Sequence, residues 1–237
     1  MPQITQITDG FALYSEYYVE KSRAEGFWKK EPDTRAWIEE CLQDGDVFWD
    51  VGACIGQFAL YAATLHKDME IYVVEPYWPN YFRMCQNITL NEQTPSILPL
   101  HLALWDEDIG RAKLFVRDLR IGGAGNQVGW PPMTEKGNPF EPKGYVWTLA
   151  VTLDSLVYEL GCGCPSHIKI DVDGTEHKVV AGMARVLQDS RLRSLLVEKN
   201  NIRPGNEHML ELIEGYGFTR DNPWNSSKSG NAIFVRE

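Results

Sequence analysis

The chain has no apolar stretch approaching the ~18 residues that cross a bilayer as a helix, so no transmembrane helix is expected. Its N-terminus, Met1-Pro2-Gln3-Ile4-Thr5, has neither the charged nor the apolar region of a secretory signal, and the cytoplasm is the expected compartment. Runs of Lys or Arg are missing and the net charge is −10, which argues against nucleic acid or an anionic membrane surface as partner. Cysteine is sparse and odd in number: Cys41, Cys54, Cys85, Cys162 and Cys164. That scatter suits free thiols in a reducing compartment. Cys162-Gly163-Cys164 has no second pair at zinc spacing. A Gly-x-Ser-x-Gly elbow is absent, which removes the commonest signature of nucleophilic hydrolases. There is no internal repeat and no low-complexity segment.

What is present begins with Asp46-Val47-Phe48-Trp49-Asp50-Val51-Gly52-Ala53-Cys54-Ile55-Gly56-Gln57. The apolar run through Val47, Phe48, Trp49 and Val51 predicts a buried strand. Gly52 and Gly56 predict a tight turn, and Ile55, Phe58, Ala59, Tyr61 and Ala62 an apolar helix face. Strand, glycine turn and helix open a βαβ unit in which a ligand approaches the backbone closely. A dinucleotide fingerprint would add a third glycine and seat a pyrophosphate on the helix N-terminus. Here that glycine is missing and Asp50 stands at the strand end. A carboxylate there repels pyrophosphate but suits a ligand carrying an ammonium and a sulfonium, such as S-adenosylmethionine.

Further strands are expected at residues 70–76, 97–104, 111–117, 145–151, within 167–176, and at 192–197, 216–219 and 231–236, with helices at 33–42, 79–91, 176–187 and 207–215. Asp33 is the expected cap of the first of these helices. Glu75, at the end of the second strand of the series, matches the acid that accepts ribose hydroxyls in nucleoside-binding α/β folds. Residues 118–144 are rich in Gly and Pro, and a loop of that length inside a domain suggests a functional role, here the acceptor site. Trp130, Tyr145 and Trp147 offer rings that stack on a sugar, although Tyr145 and Trp147 read better as ordinary strand residues. The aromatic-rich residues 1–30 read as an N-terminal cap segment over the cleft.

Several motif positions, taken in chain order, carry a resemblance. Asp50-x-Gly52-Ala53-x-x-Gly56 resembles the first motif of class I S-adenosylmethionine methyltransferases, in particular the FkbM family. Glu75-Pro76 and Ala103-Leu104-Trp105-Asp106 are similar to family positions, Trp105 standing where the family has serine. Thr152-Leu153-Asp154 is similar to the family's Thr-Leu-Asp, with Asp154 a structural cap. Ile168-Lys169-Ile170-Asp171-Val172-Asp173-Gly174-Thr175-Glu176 resembles Ile-Lys-Ile-Asp-Val-Glu-Gly-x-Glu, with Asp173 in place of Glu.

The resemblance covers residues 31–237 and implies a Rossmann-like α/β class I methyltransferase domain. Its sheet would be mostly parallel and seven-stranded, with a C-terminal antiparallel hairpin and helices on both faces. It implies S-adenosylmethionine as cofactor, held by Glu31, Asp50, Gly52, Ala53, Ile55, Gly56, Glu75, Pro76, Ala103, Asp106 and Asp171. In that assignment Glu31 lies near the methionine end, Glu75 at the ribose and Asp106 at adenine N6. Asn87 and Asn91 resemble two family asparagines and read as structural caps. The implied reaction is O-methylation of a hydroxylated small-molecule or glycan acceptor.

A sulfonium brings its own leaving group, so catalysis is chiefly in-line positioning in a dry cleft. A sugar hydroxyl must also lose its proton. Asp171 is the first candidate base, with Glu198 or Glu176 behind it. A carboxylate with a pKa of ~3.9 is a weak base unless burial or like charge raises it. Mg²⁺ held by Asp171 with Glu198 or Glu176 is the less favoured arrangement. Lys169, inside a strand, needs an acidic partner if buried. His167 and His177 read as structural. Two alternatives stand beside the enzyme: a non-catalytic cofactor-binding or regulatory protein on the same fold, and an NAD-dependent oxidoreductase, against which Asp50 counts.

Overall fold

The computed structural model describes residues 2–129, 132–134, 138–199, 205–225 and 230–236. The chain opens with a hairpin, β1 (Ile4–Gln6) and β2 (Ala12–Tyr14), followed by helices α1 (Tyr18–Gly26) and α2 (Pro32–Cys41). Alternation begins with β3 (Val47–Val51), α3 (Gln57–Leu65), β4 (Glu70–Val74), α4 (Trp78–Leu90) and β5 (Ile97–Leu100). Four strands interrupt it: β6 (Ala103–Leu104), β7 (Gly110–Val116), β8 (Gln127–Val128) and β9 (Gly144–Val151). It resumes with α5 (Leu153–Tyr158), β10 (His167–Ile170), α6 (Glu176–Ala181) and α7 (Ala184–Gln188). The last elements are β11 (Ser194–Glu198), α8 (Asn206–Gly215) and β12 (Asn231–Val235).

The main sheet runs β12-β11-β10-β3-β4-β5, parallel throughout except for β12. Period-two alternation sorts its side chains onto two faces. Phe48, Ile71, Val73, Leu196 and Ile233 meet α2, α3 and α4, whereas Trp49, Tyr72, Val74, Ile168 and Leu195 meet α5 to α8. Both faces are therefore covered, as a parallel sheet requires. The same alternation turns Asp50 and Lys169, neighbours in register, away from the α5–α8 side.

The implied seven-stranded sheet has six strands among the described residues. The strand expected at 216–219 is reduced to a single bridge, Thr219 to Val235, because Gly217 at φ +86 leaves the extended region. The strand expected at 97–104 divides into β5 and β6. β5 is the edge of the main sheet, where Pro99 costs no ladder bond, and β6 leaves to pair with β9. The helix expected at 176–187 also divides, into α6 and α7. A Cβ on Gly182 would stand 1.9 Å from the Trp105 carbonyl oxygen, so the backbones cross where the helix breaks.

A second sheet, β6-β9-β7-β8, packs its inner face through Ala103, Leu114, Val128 and Ala150. Its outer face exposes Tyr145 and Trp147 beneath Lys113 and Arg111, each cation 4.5 Å from the ring it covers. At the N-terminus, Phe11, Leu13, Ala24 and Phe27 belong to the α2–α4 core. Asn87 and Asn91 are structural: Asn91 is the C-cap of α4, its Nδ2 donating to the Asn87 carbonyl at 2.7 Å, whereas Asn87 lies inside the helix. Asn87 Oδ1 accepts the Tyr14 N–H at 2.9 Å, and Asn91 bonds both the N–H and the carbonyl of Ala12 at 2.8 Å, which fastens β2 to α4. Asp33 does not cap α2. Glu31 takes the N-cap position at φ 46, with Pro32 opening the helix.

Candidate active site

The carboxyl ends of β10, β3 and β4 are drawn together by the turn after β3. The N–H groups of Gly52 and Ala53 both donate to the Val74 carbonyl, at 2.9 and 3.0 Å, and the Asp171 N–H donates to the Val51 carbonyl at 3.0 Å. Gly52 has φ +82, and a Cβ there would stand 1.8 Å from the Asp171 carbonyl oxygen. Only glycine permits that approach. The turn opens onto a cleft of about 740 Å³ that is continuous with solvent. Brought together in its walls are Gly52 and Cys54 from the turn, Glu75 and Pro76 beyond β4, Ala103 from β6 and Asp171 beyond β10.

Among the expected cofactor contacts, Gly52, Glu75, Pro76, Ala103 and Asp171 therefore line one cleft, while Glu31, Asp50, Ala53, Ile55, Gly56 and Asp106 lie outside its walls. Glu176 and Glu198 are also set back from it. Ile55 is fully buried, and Gly56 at φ +83 packs so closely that a Cβ would meet Met84 Cγ at 3.0 Å.

The acids form a layered arrangement. Lys169 Nζ, 2 % exposed, lies 3.4 Å from Asp50 Oδ1 and 3.2 Å from Asp171 Oδ2, which answers the need for an acidic partner. Asp50 is wholly enclosed, and burial raises its carboxyl above the ordinary range although Lys169 opposes the shift. Glu31 faces the same cation. Burial raises its pKa, Lys169 lowers it, and Thr34 Oγ1 donates to its Oε2 at 3.1 Å. Glu75 accepts the N–H of Cys54 at 3.0 Å and of Tyr77 at 2.8 Å. Burial nevertheless pushes its carboxyl up to about 8. Glu176 Oε1 accepts the N–H groups of Val172 at 3.0 Å and Gly174 at 2.8 Å, which fixes the loop beyond β10. Burial pushes that carboxyl up to about 7. Glu198 is raised as well, first by burial and then by the charges of Asp171, Glu176 and Asp173. Among the described residues, no three His, Cys, Asp or Glu side chains stand close enough together to hold a metal ion.

Other sequence candidates lie elsewhere. Asp106 accepts from Lys178 at 2.6 Å, and Trp105 lies beneath the same ammonium, 5.6 Å from its ring centre. Tyr145 and Trp147 face outward on β9, and Trp130 lies outside the described residues. His167 is buried at the opposite end of β10, between Ser194 Oγ at 2.7 Å and Asp46 Oδ2 at 3.0 Å. This Ser–His–Asp arrangement opens on no cleft and is structural. Sequence reasoning missed Arg23, Cys54, Asn80 and Asn126 in the walls. Asn80 holds the 118–128 segment over the cleft, accepting from the Gly122 N–H at 2.8 Å and donating to the Gly123 carbonyl at 3.1 Å. Gly125 N–H donates to Asp173 Oδ2 at 2.7 Å from the other side. Asn80 and Arg23 belong to no motif, so the bare sequence gave no signal for either. Cys54 alone sat inside a recognised turn.

The strand order and the glycine turn at the β3 end are those of a Rossmann-like class I methyltransferase fold. The family described as "Methyltransferase FkbM domain" matches residues 50–219, and the chain belongs to that family. It is 24 % identical over 205 residues to the 31-O-demethyl-FK506 methyltransferase FkbM of Streptomyces tacrolimicus, covering 75 % of this chain and 74 % of that one. It is 22 % identical over 191 residues to the hexuronic acid methyltransferase AglP of Haloferax volcanii, covering 79 % and 70 %. A solved structure of methyltransferase FkbM from Methylobacillus flagellatus KT superposes with a TM-score of 0.55 at 15 % identity. That match covers 92 % of this chain but 52 % of the other, so the chain spans about half the length of that protein.

Proposed function

We propose that this methyltransferase uses S-adenosylmethionine to methylate a hydroxyl of a sugar, glycan or small-molecule acceptor. The observation that carries the reading is the convergence of Gly52, Glu75 and Asp171, at the ends of three adjacent strands, on one cleft. The residues present fit that cofactor. Asp171 and Asp173 make the wall acidic, which suits an ammonium and a sulfonium and disfavours a pyrophosphate, and a bound cation favours ionisation of Glu75 beside them. Glu75 is held by two backbone N–H groups and keeps lone pairs for ribose hydroxyls. Ala103 and Leu104 offer apolar surface for the adenine.

When bound, the cofactor supplies an electrophilic methyl group on a sulfonium. The protein's part is to orient the acceptor, exclude water and receive a proton. Lys169 engages Asp171 Oδ2 and leaves Oδ1 for the hydroxyl proton. Glu176 keeps the Asp171 loop in place through its two backbone bonds. Glu198, its carboxyl raised, holds a proton rather than a charge behind Asp171 and so limits like-charge repulsion there. From the N-terminal segment, α1 contributes Arg23 to the cleft wall, which supports a capping role.

The names of the two relatives support an oxygen acceptor, one acting on 31-O-demethyl-FK506 and the other on a hexuronic acid. Methyl-labelled S-adenosylmethionine should transfer label to hydroxyls in a panel of hexuronic-acid glycans and hydroxylated macrolides. Asp171→Asn should cut transfer by ~10²- to 10⁴-fold while S-adenosylhomocysteine still binds. Cofactor binding without transfer to any acceptor would favour the non-catalytic alternative. Undiminished transfer by Asp171→Asn would remove Asp171 from the proton step.

A further inference from the structure

The charged residues lining the cleft are mostly acids. Glu75, Asp171 and Asp173 line it, and among the described lining residues Arg23 is the single cation. Arg23 belongs to α1, before the stretch that the family matches. Its Nε donates to the Gly122 carbonyl at 2.6 Å, which fixes the guanidinium against the 118–128 segment. Gly122, at φ +77, takes the left-handed backbone conformation that glycine favours. Glu31, Cys54, Asp171 and Asp173, from three separate segments of the chain, lie near the charged head.

The ligand assigned to this cleft has two positive centres, which the acids match, and one carboxylate, which they repel. A carboxylate enclosed among carboxylates needs a cation or several N–H donors. With Nε engaged by Gly122, the two terminal nitrogens of Arg23 keep the planar fork that pairs with both oxygens of a carboxylate. We propose that Arg23 binds the carboxylate at the methionine end of the cofactor. The proposal rests on the S-adenosylmethionine reading of the cleft. It makes α1 part of the cofactor site and gives the N-terminal segment a chemical role besides covering the cleft.

The test compares three ligands by calorimetric titration of the full chain: S-adenosylhomocysteine, its decarboxylated analogue, and 5′-methylthioadenosine. Wild type should prefer S-adenosylhomocysteine to the decarboxylated analogue by ~10-fold or more. Arg23→Gln should bring those two within about twofold of each other and leave 5′-methylthioadenosine affinity unchanged. Arg23→Lys, which keeps the charge but not the fork, should fall between. If Arg23→Gln fails to fold, the wild-type preference and Arg23→Lys still decide. A wild type indifferent to the carboxylate overturns the proposal. So does an Arg23→Gln that keeps the preference, which would place the carboxylate on the α3 N-terminus. An equal loss for all three ligands would mean that Arg23 only braces Gly122, and that too overturns it. A wild type that binds none of the three overturns the reading of the cleft itself.

Discussion

A methyl group at Gly52 would meet the Asp171 carbonyl oxygen at 1.8 Å on a backbone whose φ of +82 strains any side chain. Gly52→Ala should therefore lose ~2 kcal/mol or more in urea unfolding, and bind S-adenosylhomocysteine more weakly. Lys169 is equally constrained. It is the ion-pair partner of Asp50, whose two carboxylate oxygens are buried without a hydrogen bond. Lys169→Met should cost ~3–5 kcal/mol because it leaves that carboxylate uncompensated, and Asp50→Asn in the same chain should recover part of the loss. At this scale the sequence was informative where a residue type and a strand end coincide, as for Gly52, Glu75 and Asp171. It was silent on Arg23 and Asn80, whose roles arise from packing across more than forty positions of chain: Asn80 grips Gly122 and Gly123, and Arg23 grips Gly122. Asp106, a motif residue, lies outside the cleft wall with its Oδ2 paired to Lys178.

Helix α7 shows how elements depart from the pattern that announces them. Its five residues are too few to stand alone, and Asp154 accepts the N–H groups of Arg185 and Val186, both at 2.9 Å. Thr152, not Asp154, caps α5, accepting from the Ser155 N–H at 3.0 Å. Asp154 is thus a cap, but of a helix 30 residues further on. Asp154→Ala should destabilise by ~1–2 kcal/mol in urea unfolding, with faster amide exchange at Arg185 and Val186. The buried strands β3, β4 and β11 were legible as short, mainly apolar runs, as strands covered on both faces should be, whereas β10, with His167 and Lys169, was legible through its motif. The second sheet was not. Residues 111–117 and 145–151 alternate visibly, but their partnership with β6 and β8 is fixed by pairing over long separations that periodicity does not encode.

Across the whole molecule, the acids gathered around the cleft make stability depend on pH. Burial raises Glu75 from its ordinary 4.5 to about 8 and Glu176 to about 7, and Glu198 is raised in the same sense. Each such group keeps its proton longer folded than unfolded. The stability it contributes is therefore full below its unfolded pKa and is lost as pH rises through its folded value. The melting temperature of the ligand-free protein should fall between about pH 5 and pH 8.5, and Glu75→Gln should flatten that fall. A cationic ligand should offset it, because positive centres favour the ionised acids.

The central claim is that acids from successive strand ends surround one adenosyl ligand. A crystal structure with S-adenosylhomocysteine tests it most directly. The ribose hydroxyls should lie on Glu75, the adenine against Ala103 and Leu104, and the sulfur beside Gly52 within reach of Asp171. Ligand density elsewhere, or a ribose turned away from Glu75 with Asp171 remote from the sulfur, would contradict it.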